Sequence, residues 1–445
     1  MRGKEAKSWK ENSGKDICMI MAIGLILVSY MVGQLQAQKR GNLLSVSIDL
    51  PEADSLSENR NPQRVLGLLK IQQLLLEVAQ NPKDGPFVEE YIEETGLSLD
   101  DVLAMGLLRR QDRRYVPGFS LFTQDDQRRM REICGEFGED LAEIYAKRAG
   151  EFQKIFDPYP LKQIGKPALV YILIGCFSLD WDGLRISRDL GYMPSTPPEE
   201  APFIGWAFDR RAEEFGQKKG LYWGSHNEYL PNGIAFTSFG DHAVLMRNAF
   251  PDIAWRMARS LRIGLKGTSE EVHSSLALAG RRALYDGLLS ALGSIMMELR
   301  KGIQKETELR QVTGIPSDQL SDLLAVLENL EYARKTQGGY EALIPIFSPA
   351  DQPFVHKLIL KSREMLTSWL RQNFDRLKSE LSCLSAYKYG QPLEASFYKI
   401  WHEIFGSANG ILVERGLFFD PYGGSRKHEG YLPVVWHMSV AGDLR

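Results

Sequence analysis

The chain has 445 residues, 44% of them hydrophobic and 25% charged, with a formal net charge of −3. That is enough for roughly two to four domains with buried cores. The near-neutral balance excludes global steering toward nucleic acid or anionic membrane and leaves room only for a local basic patch. Its four cysteines (Cys18, Cys134, Cys176 and Cys383) have no short spacing, which excludes a disulfide framework and a paired-cysteine metal site.

Met1 to Lys15 is basic, and no charge follows Asp16 until Lys39 and Arg40. Between them Ile17 to Gly33 is almost wholly apolar, and as a helix it spans about 25 Å, close to a bilayer core of roughly 30 Å. Three readings fit this 1–40 segment: an anchor with its basic end inside, a signal peptide cleaved after Leu35-Gln36-Ala37, or translation starting at Met21 or later. The first two place the protein at a membrane or outside the cytoplasm, the third within it. Residues 41–63, including the polar stretch Ser45 to Pro62, read as a linker.

Apolar periodicity then predicts helices over Arg64 to Gln80 and Pro86 to Glu94, a turn at Thr95-Gly96, a helix over Leu99 to Leu108, and short strands through Gln111 to Thr123. A long helix over Asp125 to Phe156 closes a unit at 64–157. The next, 158–260, holds an apolar helix over Pro167 to Leu179, a turn at Asp182-Gly183-Leu184, and a tail rich in Gly, Tyr and Pro that reads as short strands. The order returns in 281–385: helices over Arg281 to Lys301 and Lys305 to Val312, a turn at Thr313-Gly314, and a third helix capped by Ser317, with Leu320, Leu323, Leu324 and Leu327 facing inward. Two strands follow around a Gly338-Gly339 turn, then a helix over Pro353 to Leu384. A shorter tail, 386–445, begins with a helix over Pro392 to Phe405.

The two halves align. Tyr115 to Gln127 matches Tyr340 to Gln352 at a constant offset of 225 residues, which also carries Gly165-Lys166-Pro167 onto Gly390-Gln391-Pro392. Thr95-Gly96-Leu97 pairs with Thr313-Gly314-Ile315, and Asp182-Gly183-Leu184 with Asn409-Gly410-Ile411. Tyr222, Gly224, Ser225 and Tyr229-Leu230-Pro231 pair with Tyr422, Gly424, Ser425 and Tyr431-Leu432-Pro433. Anchors in one order point to a tandem duplication.

Helix, helix, tight turn, helix and β-wing is an order that resembles the winged helix-turn-helix domains of bacterial transcriptional regulators of the MarR or ArsR type, over roughly 64–125 and 281–350 and the long helix after each. The resemblance implies a mainly α fold with small β-wings (α+β), arranged as a single-chain pseudo-dimer of winged-helix-containing units. It also implies DNA contact through the third helix and wing. The third helices oppose that role, since Ser98 to Leu108 and Ser317 to Leu330 contain acidic residues and no cation. The wings favour it more: Arg109, Arg110, Arg113 and Arg114 in the first, Arg334 and Lys335 in the second. Solvated turns with local salt bridges are the alternative.

No specific catalytic or metal motif accompanies these features. The seven histidines form no metal-ligand pattern, and a triad of Ser225, Asp241 and His242 suffers from adjacency, because neighbours on a strand point to opposite faces. No cofactor, metal or catalytic residue is assigned. The recurring Tyr222, Ser225, His226, Tyr229, Tyr422, Ser425 and Tyr431 suggest either a ligand pocket or the packing of a β-layer. The expected function is a non-enzymatic regulatory or scaffold protein whose winged helices touch a protein partner or, weakly, DNA. The alternatives are a DNA-binding transcriptional regulator and an enzyme of unrecognised class.

Overall fold

Leu44, Val46 and Ile48 alternate with polar residues, the pattern of a half-buried strand, and they form β1 (Leu44–Asp49) inside the stretch that reads as linker. The computed structural model describes residues 42–49, 61–194, 203–212, 222–243, 278–389, 392–423 and 426–442. The apolar run Ile17 to Gly33 and Ser425 lie outside them. The chain is mainly helical with small sheets and divides into two units: Met1–Gln127 with Thr196–Phe215 and Leu384–Gln391, and Arg128–Ser195 with Gly216–Cys383 and Pro392–Arg445.

In the first unit α1 (Pro62–Val65), α2 (Leu69–Gln80), α3 (Gly85–Glu93) and α4 (Leu99–Ala104) precede β2 (Leu108–Gln111), β3 (Arg114–Pro117) and β4 (Ser120–Phe122). Leu74, Leu75 and Val78 of α2 pack with Val88, Ile92, Val102 and Leu107 in its core. The helix expected from Arg64 is broken at residues 66–68. Gln72, fully buried, satisfies the break: its Nε2 donates to the Leu66 carbonyl (2.7 Å), and its Oε1 accepts from the Leu43 and Leu44 amides. One polar side chain thereby fastens β1 to the helical layer. β5 (Ile204–Asp209) lies between β1, antiparallel, and β4, parallel. α3 is followed by Gly96 at φ +71°, a backbone conformation that costs a side-chain-bearing residue free energy.

The second unit takes most of α5 (Gln124–Ala146), then α6 (Ala149–Ile155) and a continuous helix α7 (Lys166–Asp189). The middle of α7, Tyr171–Asp182, is a π-helix, a rare form that is frequent at functional sites. α7 is long and apolar enough to cross a bilayer, but 83% of its apolar stretch is buried in protein. β6 (Ser225–Tyr229) and β7 (Ile234–Phe239) follow, then α8 (Leu278–Leu299), α9 (Glu306–Thr313), α10 (Ser317–Asn329), β8 (Ala333–Thr336), β9 (Gly339–Ala342) and β10 (Ile346–Phe347). α11 (Gln352–Leu381), α12 (Phe397–Glu414), β11 (Leu432–His437) and α13 (Met438–Gly442) complete it. The sheet order is β10-β11-β7-β6, with β11 antiparallel to β7 and parallel to β10. The expected apolar face of α10 is buried at Leu320, Leu323, Leu324 and Leu327, although Pro316 rather than Ser317 occupies its N-cap.

The turn expected at Asp182-Gly183-Leu184 is instead helix. Gly183 serves close packing: a Cβ there would sit 2.4 Å from the Trp401 indole nitrogen, which donates to the Leu179 carbonyl at 2.7 Å. Asn409-Gly410-Ile411 likewise lies within α12. Asp182, buried, is held by Arg185 (3.1 Å) and by Arg363 of α11 (2.8 Å). Burial raises its carboxyl nonetheless, outweighing both guanidinium groups.

Candidate functional site

The two hairpins expected as wings, β2-β3 and β8-β9, use the same register and differ in charge. In the first, Arg109 lies opposite Val116 and Arg110 opposite Tyr115. In the second, Arg334 lies opposite Glu341 and Lys335 opposite Tyr340. Arg334 is paired with Glu341, and the Lys335 ammonium sits 5.5 Å from the Tyr340 ring centre. In the second hairpin one of the two cations, Arg334, is therefore neutralised. In the first, Val116 stands where the second has its carboxylate, and Arg113 and Arg114 replace the Gly338-Gly339 tip. Arg110, Arg113 and Arg114 are exposed. Among the described residues, Arg113 and Arg114 make no ion pair, and the Arg110 guanidinium donates only to the Asp112 carbonyl. Arg109 is partly buried, its Nε without a partner among the described residues. Around this wing the exposed side chains of α3 and α4 include Glu89, Glu90, Glu93 and Asp100. In the second unit, α10 exposes Asp318 and Asp322.

A second feature lies wholly within the second unit. A cavity of about 410 Å³ is lined by the end of α7, the β6 and β7 ends and α12, chiefly Asp180, Trp181, Trp223, Asp241, Tyr398 and His402. Consecutive residues of the π-helix diverge here: Asp180 faces His402, Trp181 donates to the Ser225 hydroxyl (3.3 Å), and Asp182 turns toward Arg363. Asp180 is 6% exposed, and its carboxylate oxygen is 3.6 Å from His402 Nε2. His402 Nδ1 lies 2.7 Å from the Tyr398 carbonyl. A carbonyl only accepts, so Nδ1 carries the proton and Nε2 is turned to Asp180. Burial pushes the Asp180 carboxyl up to about 7. The Tyr398 phenol is raised by burial and then by the Asp180 charge. Behind the Trp223 ring the Lys399 ammonium stands 5.1 Å from its centre, itself buried and paired with Glu403.

Asp241 closes the other side. Its Oδ1 accepts from the Trp223 amide (3.1 Å) and its Oδ2 from the Tyr422 hydroxyl (2.7 Å). Tyr222 packs on Tyr422, and its backbone has φ +52°, an uncommon conformation for an aromatic residue. Its carbonyl is clamped by the Tyr171 hydroxyl and the Asn409 amide. Gly224 at φ +108° supplies the conformation that turns the chain into β6.

The structure thus splits the recurring residues. Ser225 and His226 line the cavity, and Tyr222 and Tyr422 buttress it through Asp241. Tyr229 is 47% exposed at the far end of β6, while Tyr431 lines a separate cavity of about 430 Å³ with Gln163, Leu343 and His428. Asp241 and His242 lie beyond β7 rather than on a strand, and both contact Tyr422. No hydrogen bond among the described residues joins Ser225 to His226 or His242, so the triad is not assembled. Asp180, Trp223, Tyr398 and His402 were not singled out by sequence. The one available signal was a lone carboxylate closing an otherwise apolar helix. Among the described residues no group of three or more His, Cys, Asp or Glu is gathered for a metal ion. Comparison with known protein families, with curated proteins and with solved structures returns no match to this chain.

Proposed function

We propose that the chain is a non-enzymatic regulatory or scaffold protein of two tandem winged-helix units, and that the first wing grips an acidic face of a partner protein. The observation that carries the reading is the first wing itself, whose exposed arginines have no ion-pair partner among the described residues and project beside helices whose exposed groups are acidic. A DNA reader places helix and wing together against phosphate, where Asp100, Glu89 and Glu93 would repel it. A protein surface of mixed charge accommodates both signs.

Several local features support tandem winged-helix units. Thr123 and Asp126 exchange capping hydrogen bonds at the start of α5, and Ser348 and Asp351 lie in matching positions at α11 with the Ser348 amide donating to Asp351 (2.7 Å). Tyr115 bridges to Lys83 before α3, as Tyr340 does to Gln304 before α9. The strand after each wing runs parallel to a later strand, β4 to β5 and β10 to β11. On this reading β11 is the counterpart of β5, not of the Tyr229-Leu230-Pro231 segment with which the sequence alignment paired its start. Within the second unit the long helices also pack reciprocally. Cys134 and Gly138 of α5 lie on α12, while Arg363 of α11 holds Asp182 of α7.

The test is fluorescence anisotropy of the full chain with a labelled oligoglutamate peptide and with a random-sequence DNA duplex, at about 0.15 M salt. Oligoglutamate binding that falls several-fold in the Arg113→Ala/Arg114→Ala variant is expected, with little duplex binding. Tight duplex binding at that salt concentration would favour the DNA regulator. Oligoglutamate binding indifferent to the two arginines would remove the wing from the account.

A further inference from the structure

We propose that the cavity bounded by Asp180, Trp181, Trp223 and Tyr398 in the second unit binds a small organic ammonium ion. The inference is independent of the wing reading and concerns a different surface.

The lining chemistry selects the charge of the occupant. Two carboxyl groups, Asp180 and Asp241, face the cavity, and among the described residues no lysine or arginine lines it. The Lys399 ammonium is buried on the Trp223 ring and paired with Glu403. An anion entering here would meet two carboxyl groups and no cation among the described lining residues. A purely apolar occupant would leave the ionised Asp180 carboxylate, which is 6% exposed, with only the His402 imidazole at 3.6 Å recorded beside it among the described residues. Burying such a group without a donor costs free energy, and an ammonium ion supplies both donor and charge. The aromatic rings add the second half of the site, since a cation is attracted to the faces of Trp and Tyr. A volume of about 410 Å³ is within the range of small-molecule sites.

Binding is coupled to a proton. The groups facing Asp180 are His402 and Tyr398 from α12 and Cys176 from its own helix, with Asp241 and His226 lining the same cavity. Burial holds the Asp180 carboxyl protonated up to about pH 7, so an ammonium ligand must displace that proton. Affinity therefore rises with pH, by about tenfold between pH 6 and 8.

Calorimetric titration of the full chain with benzylamine and choline, each against its neutral counterpart (benzyl alcohol and dimethylbutanol), tests the assignment. At least one ammonium ion is expected to bind about tenfold or more tightly than its neutral counterpart, and Asp180→Asn to weaken that binding by about tenfold. Tyr398→Leu, at a position 41% exposed, should weaken it several-fold. Failure of both ammonium ions to bind at millimolar concentration overturns the proposal, as does equal binding of the neutral compounds. Undiminished binding by Asp180→Asn, or an affinity independent of pH, would likewise refute the role given to Asp180.

Discussion

Asp180→Asn should stabilise the second unit, and the gain should grow with pH. The carboxyl is buried on α7 beside His402, and burial moves it from 3.8 to about 7. Below the first value Asp180 is protonated whether the chain is folded or not, and burial of the acid carries no ionic penalty. Between the two values the unfolded chain releases the proton and the folded chain keeps it, so stability falls by about 1.4 kcal/mol per pH unit. Above about 7 the loss levels off at roughly 4 kcal/mol in total. Asparagine does not titrate, and the gap between variant and wild type therefore widens by roughly 2–3 kcal/mol from pH 5 to pH 8. Whatever the amide gains or loses in hydrogen bonding is constant with pH, and His402 is present in both proteins. Urea unfolding at several pH values, followed by tryptophan emission, reads the gap directly. Trp181, Trp223, Trp369, Trp401 and Trp436 all belong to the unit in question. Parallel pH profiles, or a gap that narrows toward alkaline pH, would refute the reasoning.

Arg300→Met should cost about 3–5 kcal/mol by thermal or urea unfolding, because Asp351 would keep a buried charge supported only by Ser348, and the Ile346 carbonyl would lose a donor at 2.9 Å. The double change Arg300→Met/Asp351→Asn should cost clearly less, and equal losses would contradict the buried-charge account. Gly183→Ala pushes a methyl into the Trp401 ring and should destabilise by about 1–3 kcal/mol, with a shift in tryptophan emission. Gly314→Ala, at a helix end with φ +68° and open space around the new Cβ, should cost about 1 kcal/mol from backbone strain alone. A neutral result there would contradict the left-handed cap.

Local physics made much of the architecture readable in the chain. The 3.6-residue recurrence of Leu320, Leu323, Leu324 and Leu327 marks the buried face of α10. Thr95-Gly96 and Thr313-Gly314 mark helix ends, and Gly338-Gly339 the tip of the β8-β9 hairpin. Where the pattern is shorter or absent, the element is not legible in the chain. β1 is a six-residue alternation inside a polar stretch, and its partner lies more than 150 residues away in the chain. The π-helix in α7 has no periodic signature because that segment is buried nearly all round.

The wing arginines and the cavity mark the division between what sequence and tertiary structure each decide. Arg109, Arg110, Arg113 and Arg114 stand out in the sequence as a cluster, because residue type and turn signals are local properties. Their isolation from acidic partners depends on hairpin register, which sets Val116 opposite Arg109 but Glu341 opposite Arg334. Asp180 and His402 are 222 positions apart, and neither has local significance. The packing of α7 against α12 buries that carboxyl and sets an imidazole 3.6 Å from it, on a cavity also lined by three aromatic rings. Desolvation belongs to the folded interior and not to any stretch of sequence, which is why the arginines could be found by reading and the acid could not.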